Sequence, residues 1–112
     1  MSIVPQQHAF LKDVAKLIYF ADQQGIMLSA GEMYRTKEQQ ALYVENGRSK
    51  TMNSNHRNRL AVDLNFFIYG VLTYDKAELQ VLGDYWEALH KNNRWGGNWE
   101  NFIDTPHFQR SV

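Results

Sequence analysis

The chain has 112 residues, of which 44% are hydrophobic and 21% charged, and its formal net charge at pH 7 is zero. This length leaves room for a single domain, residues 1–112, and the balanced charge argues against a nucleic-acid-binding protein, which relies on bulk electrostatic attraction. No apolar run approaches the roughly 20 residues of a membrane-spanning helix, so no membrane partner is expected. Because the sequence has no cysteine, a metal site would need His, Asp or Glu ligands.

The N-terminal part of the chain predicts a helix followed by a strand. Residues 5–24 read as a helix, because Pro5 suits a first turn and Gly25 suits a C-terminal cap. The apolar stripe expected to face the core comprises Phe10, Val14, Leu17, Ile18 and Ala21. Residues 26–34 have the composition of a strand of moderate strength, weakened by a glycine.

A second helix and a polar loop follow. Thr36 and Gln39 form a capping box, which predicts a helix that ends near Val44. Residues 48–58 are polar and are expected to form a loop.

The second half of the chain predicts a hairpin, a third helix and short strands. Residues 60–68 alternate in the manner of a strand, and the turn-forming pair Tyr69-Gly70 connects them to a partner strand at 71–74. The apolar face of the first strand is Leu60, Val62, Leu64 and Phe66. Asp75 caps a third helix to about Lys91, and the remainder is rich in turns. Because helices and strands interleave irregularly, we predict an α+β fold with about three helices.

Two stretches of the sequence contain residues that could bind a metal ion and transfer a proton. The strand at 60–68 contains a carboxylate, Asp63, which would be costly to bury without a cation. Asp63 lies seven positions after His56, a histidine that looks exposed. In Asp104-Thr105-Pro106-His107 the proline excludes a helix, and a turn at the aspartate would let Asp104 and His107 reach one point. Two imidazoles and a carboxylate around an open fourth position are typical of catalytic Zn²⁺. Asp104 would then take a proton from the attacking water.

These residues resemble those of a known family. Ser54-x-His56, Ala61-x-Asp63 and Asp104-x-x-His107 are similar, in order and spacing, to the S-x-H-x(6)-D and [DE]-x-x-H motifs of the M15 zinc peptidases. That family contains D-alanyl-D-alanine carboxypeptidases and L-alanyl-D-glutamate endopeptidases, and it shares an antiparallel sheet around the zinc with the Hedgehog signalling domain. The similarity begins at Tyr34-Arg35-Thr36 and continues to the C-terminus.

The resemblance implies a role for each matching residue. His56, Asp63 and His107 would bind zinc, Asp104 would act as the general base, Arg35 would hold a substrate carboxylate or the developing oxyanion, and Ser54 would brace the ligand loop. One departure stands out, because many relatives have glycine where this chain has Arg59. His8 and His90 are expected to lie outside the site, and Trp95, Trp99 and Phe108 either line a cleft or belong to the core.

The function expected from this resemblance is cleavage of a peptidoglycan stem peptide by a monomeric, zinc-dependent L-alanyl-D-glutamate endopeptidase. The alternatives are a D-alanyl-D-alanine carboxypeptidase and, in another class, a non-catalytic metal-containing binding module. A basic, apolar secretory signal is not recognisable at the N-terminus, so the expectation is a phage-type endolysin made in the cytoplasm and released to a thin Gram-negative wall by a holin.

Overall fold

In the computed structural model, residues 2–49, 51–52 and 54–111 are described, and within them the chain forms three α-helices and five strands. In chain order these are α1 (Val4–Gln23), β1 (Ile26–Ala30), α2 (Lys37–Glu45), β2 (Ala61–Ile68), β3 (Val71–Thr73), α3 (Lys76–Leu89), β4 (Asn93–Trp95) and β5 (His107–Arg110). Short 3-10 turns occur at Asn55–Asn58 and Gly96–Asn98. The predicted α+β class is confirmed.

The helix boundaries follow from local capping. Pro5 lies in the first turn of α1, and Gly25, just beyond its end, has a φ of 75°. The Thr36 hydroxyl accepts a hydrogen bond from the Gln39 backbone N–H at 3.0 Å, and the Asp75 carboxylate accepts one from Glu78 at 3.0 Å. The predicted starts of α2 and α3 are therefore confirmed.

The strands form one antiparallel sheet in the order β1-β2-β5-β4, with β3 also paired to β2. β2 is the central strand, because its C-terminal part pairs with β1 and β3 and its first three residues pair with β5. The hairpin between β2 and β3 turns at Tyr69 and Gly70, whose φ angles are 51° and 77°. Positive φ at both positions is typical of a type I′ turn, and the hairpin predicted from the sequence is confirmed.

Helices α1 and α3 cover one face of the sheet. The predicted apolar residues of β2 are buried, and the Phe10 ring of α1 meets the Trp86 ring of α3 edge-on at 5.6 Å. Ile18 was expected in the α1 stripe, but it is 48% exposed. It lies about 100° around the helix from the fully buried Leu17, so the buried stripe is narrower than the sequence suggested. Among the described residues, no helix combines the length and the apolar character needed to cross a bilayer.

Candidate functional site

Asp63 and His107 are brought together by strand pairing. They are directly opposite each other in the antiparallel ladder between β2 and β5, and their side chains therefore share one face of the sheet. The His107 Nδ1 atom lies 3.3 Å from Asp63 Oδ1. The Asp63 backbone is held from the other side, since its N–H donates to Glu32 at 2.8 Å and its carbonyl accepts from Gly31 at 2.7 Å. The chain directly after β1 thus fixes Asp63 at the point where β5 begins to pair.

The approach of Gly31 to Asp63 explains the glycine that weakened the strand prediction. A Cβ atom at residue 31 would lie 2.9 Å from the Asp63 carbonyl oxygen. This is closer than side-chain carbons normally come to backbone oxygens, so the absence of a side chain permits the contact.

His56 reaches the same point from the loop before β2. Ser54 caps the 3-10 turn Asn55–Asn58 by accepting a hydrogen bond from the His56 backbone N–H at 3.2 Å. The His56 Nε2 atom lies 3.3 Å from Asp63 Oδ1. The expectation that His56 is exposed is wrong, because the residue is only 2% exposed. The 3-10 turn, which the loop prediction did not include, folds the imidazole inward.

The second nitrogen of each imidazole is already engaged. His56 Nδ1 lies 3.0 Å from the Met33 carbonyl oxygen, and His107 Nε2 lies 2.7 Å from the Gln109 side-chain oxygen. Both partners are acceptors, so the outer nitrogen of each ring is the one that donates to them. The nitrogens that face Asp63 lie within hydrogen-bonding reach of its carboxylate, and they would present lone pairs to a cation bound between the three side chains.

The donor set therefore fits a metal ion. One ligand atom from each of His56, Asp63 and His107 lies within 4.8 Å of the others, and both histidines are buried. A hydrogen bond from the outer nitrogen of each ligand histidine is typical of metal sites in proteins, where it fixes the tautomer and the ring orientation.

The two acidic groups of the site have opposite pKa shifts. Burial raises the pKa of Asp63, but hydrogen bonds and charge interactions with His107 and His56 outweigh it and hold the pKa well below its ordinary value. Burial is also the main influence on Asp104, and it raises the pKa of that carboxyl. Asp63 is thus the anionic partner of the two imidazoles, and Asp104 binds protons more readily than an exposed aspartate.

Asp104 lies at the rim of this cluster, and the predicted turn places it there. The Asp104 carbonyl accepts a hydrogen bond from the His107 N–H at 3.1 Å, and its own N–H donates to the Gly96 carbonyl at 2.9 Å. The carboxylate lines the same cleft as the three possible ligands. Within the described part of the chain it has no hydrogen-bond or ion-pair partner, so it can accept a proton.

Arg35 also lines the cleft, but its guanidinium is engaged in several contacts. It forms an ion pair with Glu32, donates to Gln40 at 2.7 Å and lies 3.4 Å from the Ser54 hydroxyl. Gln40 is fully buried and was not predicted to matter. The helix start at Thr36 offered a signal, because it places residue 40 one turn into α2, close to the preceding arginine.

The cleft has a volume of about 360 Å³, and one wall is aromatic. The Trp99 ring lies 5.0 Å from the His107 ring and lines the cleft, whereas Trp95 and Phe108 are fully buried and belong to the core. His8 is exposed on α1, and His90 accepts a hydrogen bond from the Asn92 N–H at 3.0 Å. Neither of these two histidines lines the cleft.

Arg59, which stands where many relatives have glycine, adopts a backbone conformation that favours glycine. Arg59 follows the 3-10 turn with a φ of 57°, which is the left-handed conformation that glycine adopts without strain. Its guanidinium stacks on the Tyr34 ring at 4.0 Å. A non-glycine residue therefore occupies the left-handed position that ends this turn.

Comparisons with known proteins agree with this geometry. The L-alanyl-D-glutamate peptidase of Listeria phage A118 is 35% identical over 99 residues, which cover 84% of this chain. This chain spans about a third (34%) of the length of that phage protein. The structure of the Serratia marcescens L-Ala D-Glu endopeptidase ChiX superposes with a TM-score of 0.71 at 28% identity, covering 89% of this chain and 79% of the other.

A family model described as D-alanyl-D-alanine carboxypeptidase matches residues 47–110. This range is more than half of the chain and contains both histidines and both aspartates of the cleft. The chain therefore belongs to this family of M15 peptidases.

Proposed function

We propose that this chain is a zinc-dependent peptidoglycan peptidase that cleaves the bond between L-alanine and D-glutamate in the stem peptide. The observation that carries the proposal is the convergence of His56 Nε2 and His107 Nδ1 on Asp63 Oδ1, with the Asp104 carboxylate in the same cleft. Similarity to a phage protein and to a bacterial protein that are both named for this bond supports the choice of substrate.

The proposed metal ligands are His56, Asp63 and His107. Two imidazole nitrogens and one carboxylate oxygen match the ligand preference of Zn²⁺ and leave a fourth position open. When bound, zinc would supply Lewis acidity and lower the pKa of water to about 7. Ser54 would keep His56 in place through the cap that it forms on the 3-10 turn.

Asp104 is the proposed general base. Its carboxylate would take a proton from the attacking water and then deliver that proton to the nitrogen of the leaving amine. The raised pKa of Asp104 suits this role, because a more basic carboxylate accepts a proton more readily.

Arg35 is proposed to stabilise the oxyanion of the tetrahedral intermediate. Its contacts with Glu32 and Gln40 hold the guanidinium in a fixed position, and a preorganised charge needs no rearrangement as negative charge develops. The same contacts occupy N–H groups that a substrate carboxylate would otherwise bind.

Cleavage between two D-alanines is the second candidate, and the description of the matching family model favours it. Mass spectrometry of purified peptidoglycan fragments after incubation with the protein separates the candidates. The proposal predicts products with a new N-terminal D-glutamate, and release of free D-alanine would show carboxypeptidase activity instead. Intact muropeptides in the presence of bound zinc would indicate the non-catalytic binding module.

A further inference from the structure

We propose that Arg48 determines specificity by binding the carboxylate that lies next to the scissile nitrogen of the substrate. This inference rests on the proposed function. Arg48 lines the cleft together with Asp63 and Asp104, on the side that Arg35 and Tyr43 also form.

The end of α2 fixes the backbone of Arg48. Its N–H donates to the Tyr43 carbonyl at 2.8 Å, and the preceding Gly47 N–H donates to the Val44 carbonyl at 3.2 Å. These two bonds form a Schellman motif, in which Gly47 takes the left-handed conformation with a φ of 75°. The chain therefore reverses directly before Arg48, and the side chain returns over the last turn of the helix.

The Tyr43 ring holds the Arg48 side chain. The Arg48 guanidinium lies 4.4 Å from the ring centroid, and the Arg35 guanidinium lies 4.6 Å from the same centroid. The Tyr43 hydroxyl donates to the Glu32 carboxylate at 2.9 Å, which fixes the ring. Stacking on an aromatic face orients a guanidinium and leaves its N–H groups at the edge free to bind a ligand.

The two arginines differ in how their N–H groups are used. Arg35 has a side chain that is only 10% exposed, and it pairs with Glu32 and Gln40. Arg48 is exposed, and among the described residues it has no carboxylate partner. Arg48 is thus the cleft cation whose hydrogen-bonding fork remains available for a substrate anion.

The chemistry of the substrate supplies that anion. In an L-alanyl-D-glutamate bond the scissile nitrogen is attached to the glutamate α-carbon, which also carries the α-carboxylate when the stem continues through the γ-carboxyl. An arginine fork binds a carboxylate through two parallel hydrogen bonds and discriminates against a neutral amide, which offers one acceptor and no charge.

The test compares two muropeptides that differ only at this carboxylate. One contains D-glutamate, and the other contains D-isoglutamine, in which the α-carboxylate is replaced by an amide. The kcat/KM of the wild-type protein is expected to be roughly 10- to 100-fold higher for the free carboxylate, as for the loss of a charge-assisted hydrogen bond. In Arg48→Ala this ratio should fall to about one, because the charge-assisted, two-bond contact that favours the free carboxylate over the amide is lost. Arg48→Lys keeps the charge without the fork and should give an intermediate ratio.

Arg94→Ala is the matched control. It removes the same charge from an exposed arginine that bonds to the backbone carbonyls of Lys91 and Asn93 and does not line the cleft. Its ratio should equal that of the wild type. A ratio that is unchanged in Arg48→Ala would overturn the assignment of Arg48 while leaving the proposed function intact. Failure of the wild-type protein to cleave either muropeptide would overturn the proposed function and, with it, this assignment.

Discussion

The hydrogen bond between Gln109 and His107 offers a direct way to perturb the candidate metal site without removing a ligand. The Gln109 side-chain oxygen lies 2.7 Å from His107 Nε2, and the Gln109 amide nitrogen donates to the Ser111 hydroxyl at 3.1 Å. His107 and Gln109 both belong to β5 and, because they are two positions apart, lie on the same face of the strand. Gln109→Leu removes the acceptor, whereas Gln109→Glu retains an acceptor and adds negative charge.

The expected magnitude follows from the role of that acceptor. It accepts the proton on His107 Nε2, so that Nδ1 would present its lone pair to a metal ion held together with Asp63 and His56. Loss of such a partner typically weakens metal binding about 10- to 100-fold, which corresponds to about 1.4–2.8 kcal/mol. We therefore expect Gln109→Leu to bind Zn²⁺ with a Kd raised by this factor, and Gln109→Glu to bind at least as tightly as the wild type.

Competition with a chromophoric chelator of known zinc affinity measures these constants at pH 7.4, and thermal melts of the zinc-free proteins check that each variant folds. If Gln109→Leu folds and binds zinc as tightly as the wild type, the proposed role of the His107 tautomer is refuted.

Three further predictions concern catalysis and stability. Asp104→Asn should lower kcat about 10²- to 10⁴-fold while zinc still binds stoichiometrically, as measured by muropeptide turnover and metal analysis; normal turnover would exclude Asp104 as the base. Gly83→Ala should lower stability by about 1–3 kcal/mol, because its Cβ would lie 2.0 Å from the buried Trp95 ring; an unchanged Tm would contradict this packing. Arg59→Gly and Arg59→Ala both lose the contact with Tyr34, but only glycine adopts the positive φ at this position without strain. Chemical denaturation should therefore show that the glycine variant is more stable than the alanine variant by about 0.5–1 kcal/mol. Equal stability of these two variants would mean that the turn is not strained.

Much of the fold was predictable because its determinants are local. The caps at Thr36 and Asp75, the turn at Tyr69-Gly70 and the alternation within β2 each depend on residues a few positions apart, and the structure confirms them. The width of the α1 stripe was not predictable in the same way, because it depends on how far the sheet extends beneath the helix. Ile18, which the sequence placed in that stripe, is 48% exposed.

In the site, too, some features follow from local sequence and others from tertiary packing. The sequence drew attention to His56, Asp63, Asp104 and His107, and all four line one cleft. The contact between Asp63 and His107, however, depends on the register of two strands whose paired residues are 44 positions apart. Such a register is set by the whole sheet.

Residues that support the site were missed because they carry no motif of their own. Gln40 and Glu32 fix Arg35 through contacts between α2 and the segment after β1, and Gln109 reaches His107 from its own strand. The local signals were weak: the helix start at Thr36 for Gln40, and the spacing of two positions between His107 and Gln109. The burial of His56 likewise depends on a 3-10 turn within a segment whose composition resembles that of a loop.

The most direct test of the central claim is the zinc content of the purified chain. The wild-type protein and the variants Asp63→Ala and His107→Ala are each equilibrated with excess Zn²⁺, passed over a desalting column and analysed by inductively coupled plasma mass spectrometry. We predict one zinc ion per chain for the wild type and none retained by either variant, with folding verified by circular dichroism. Folded variants that retain zinc at the wild-type level would contradict the claim that His56, Asp63 and His107 bind the metal together.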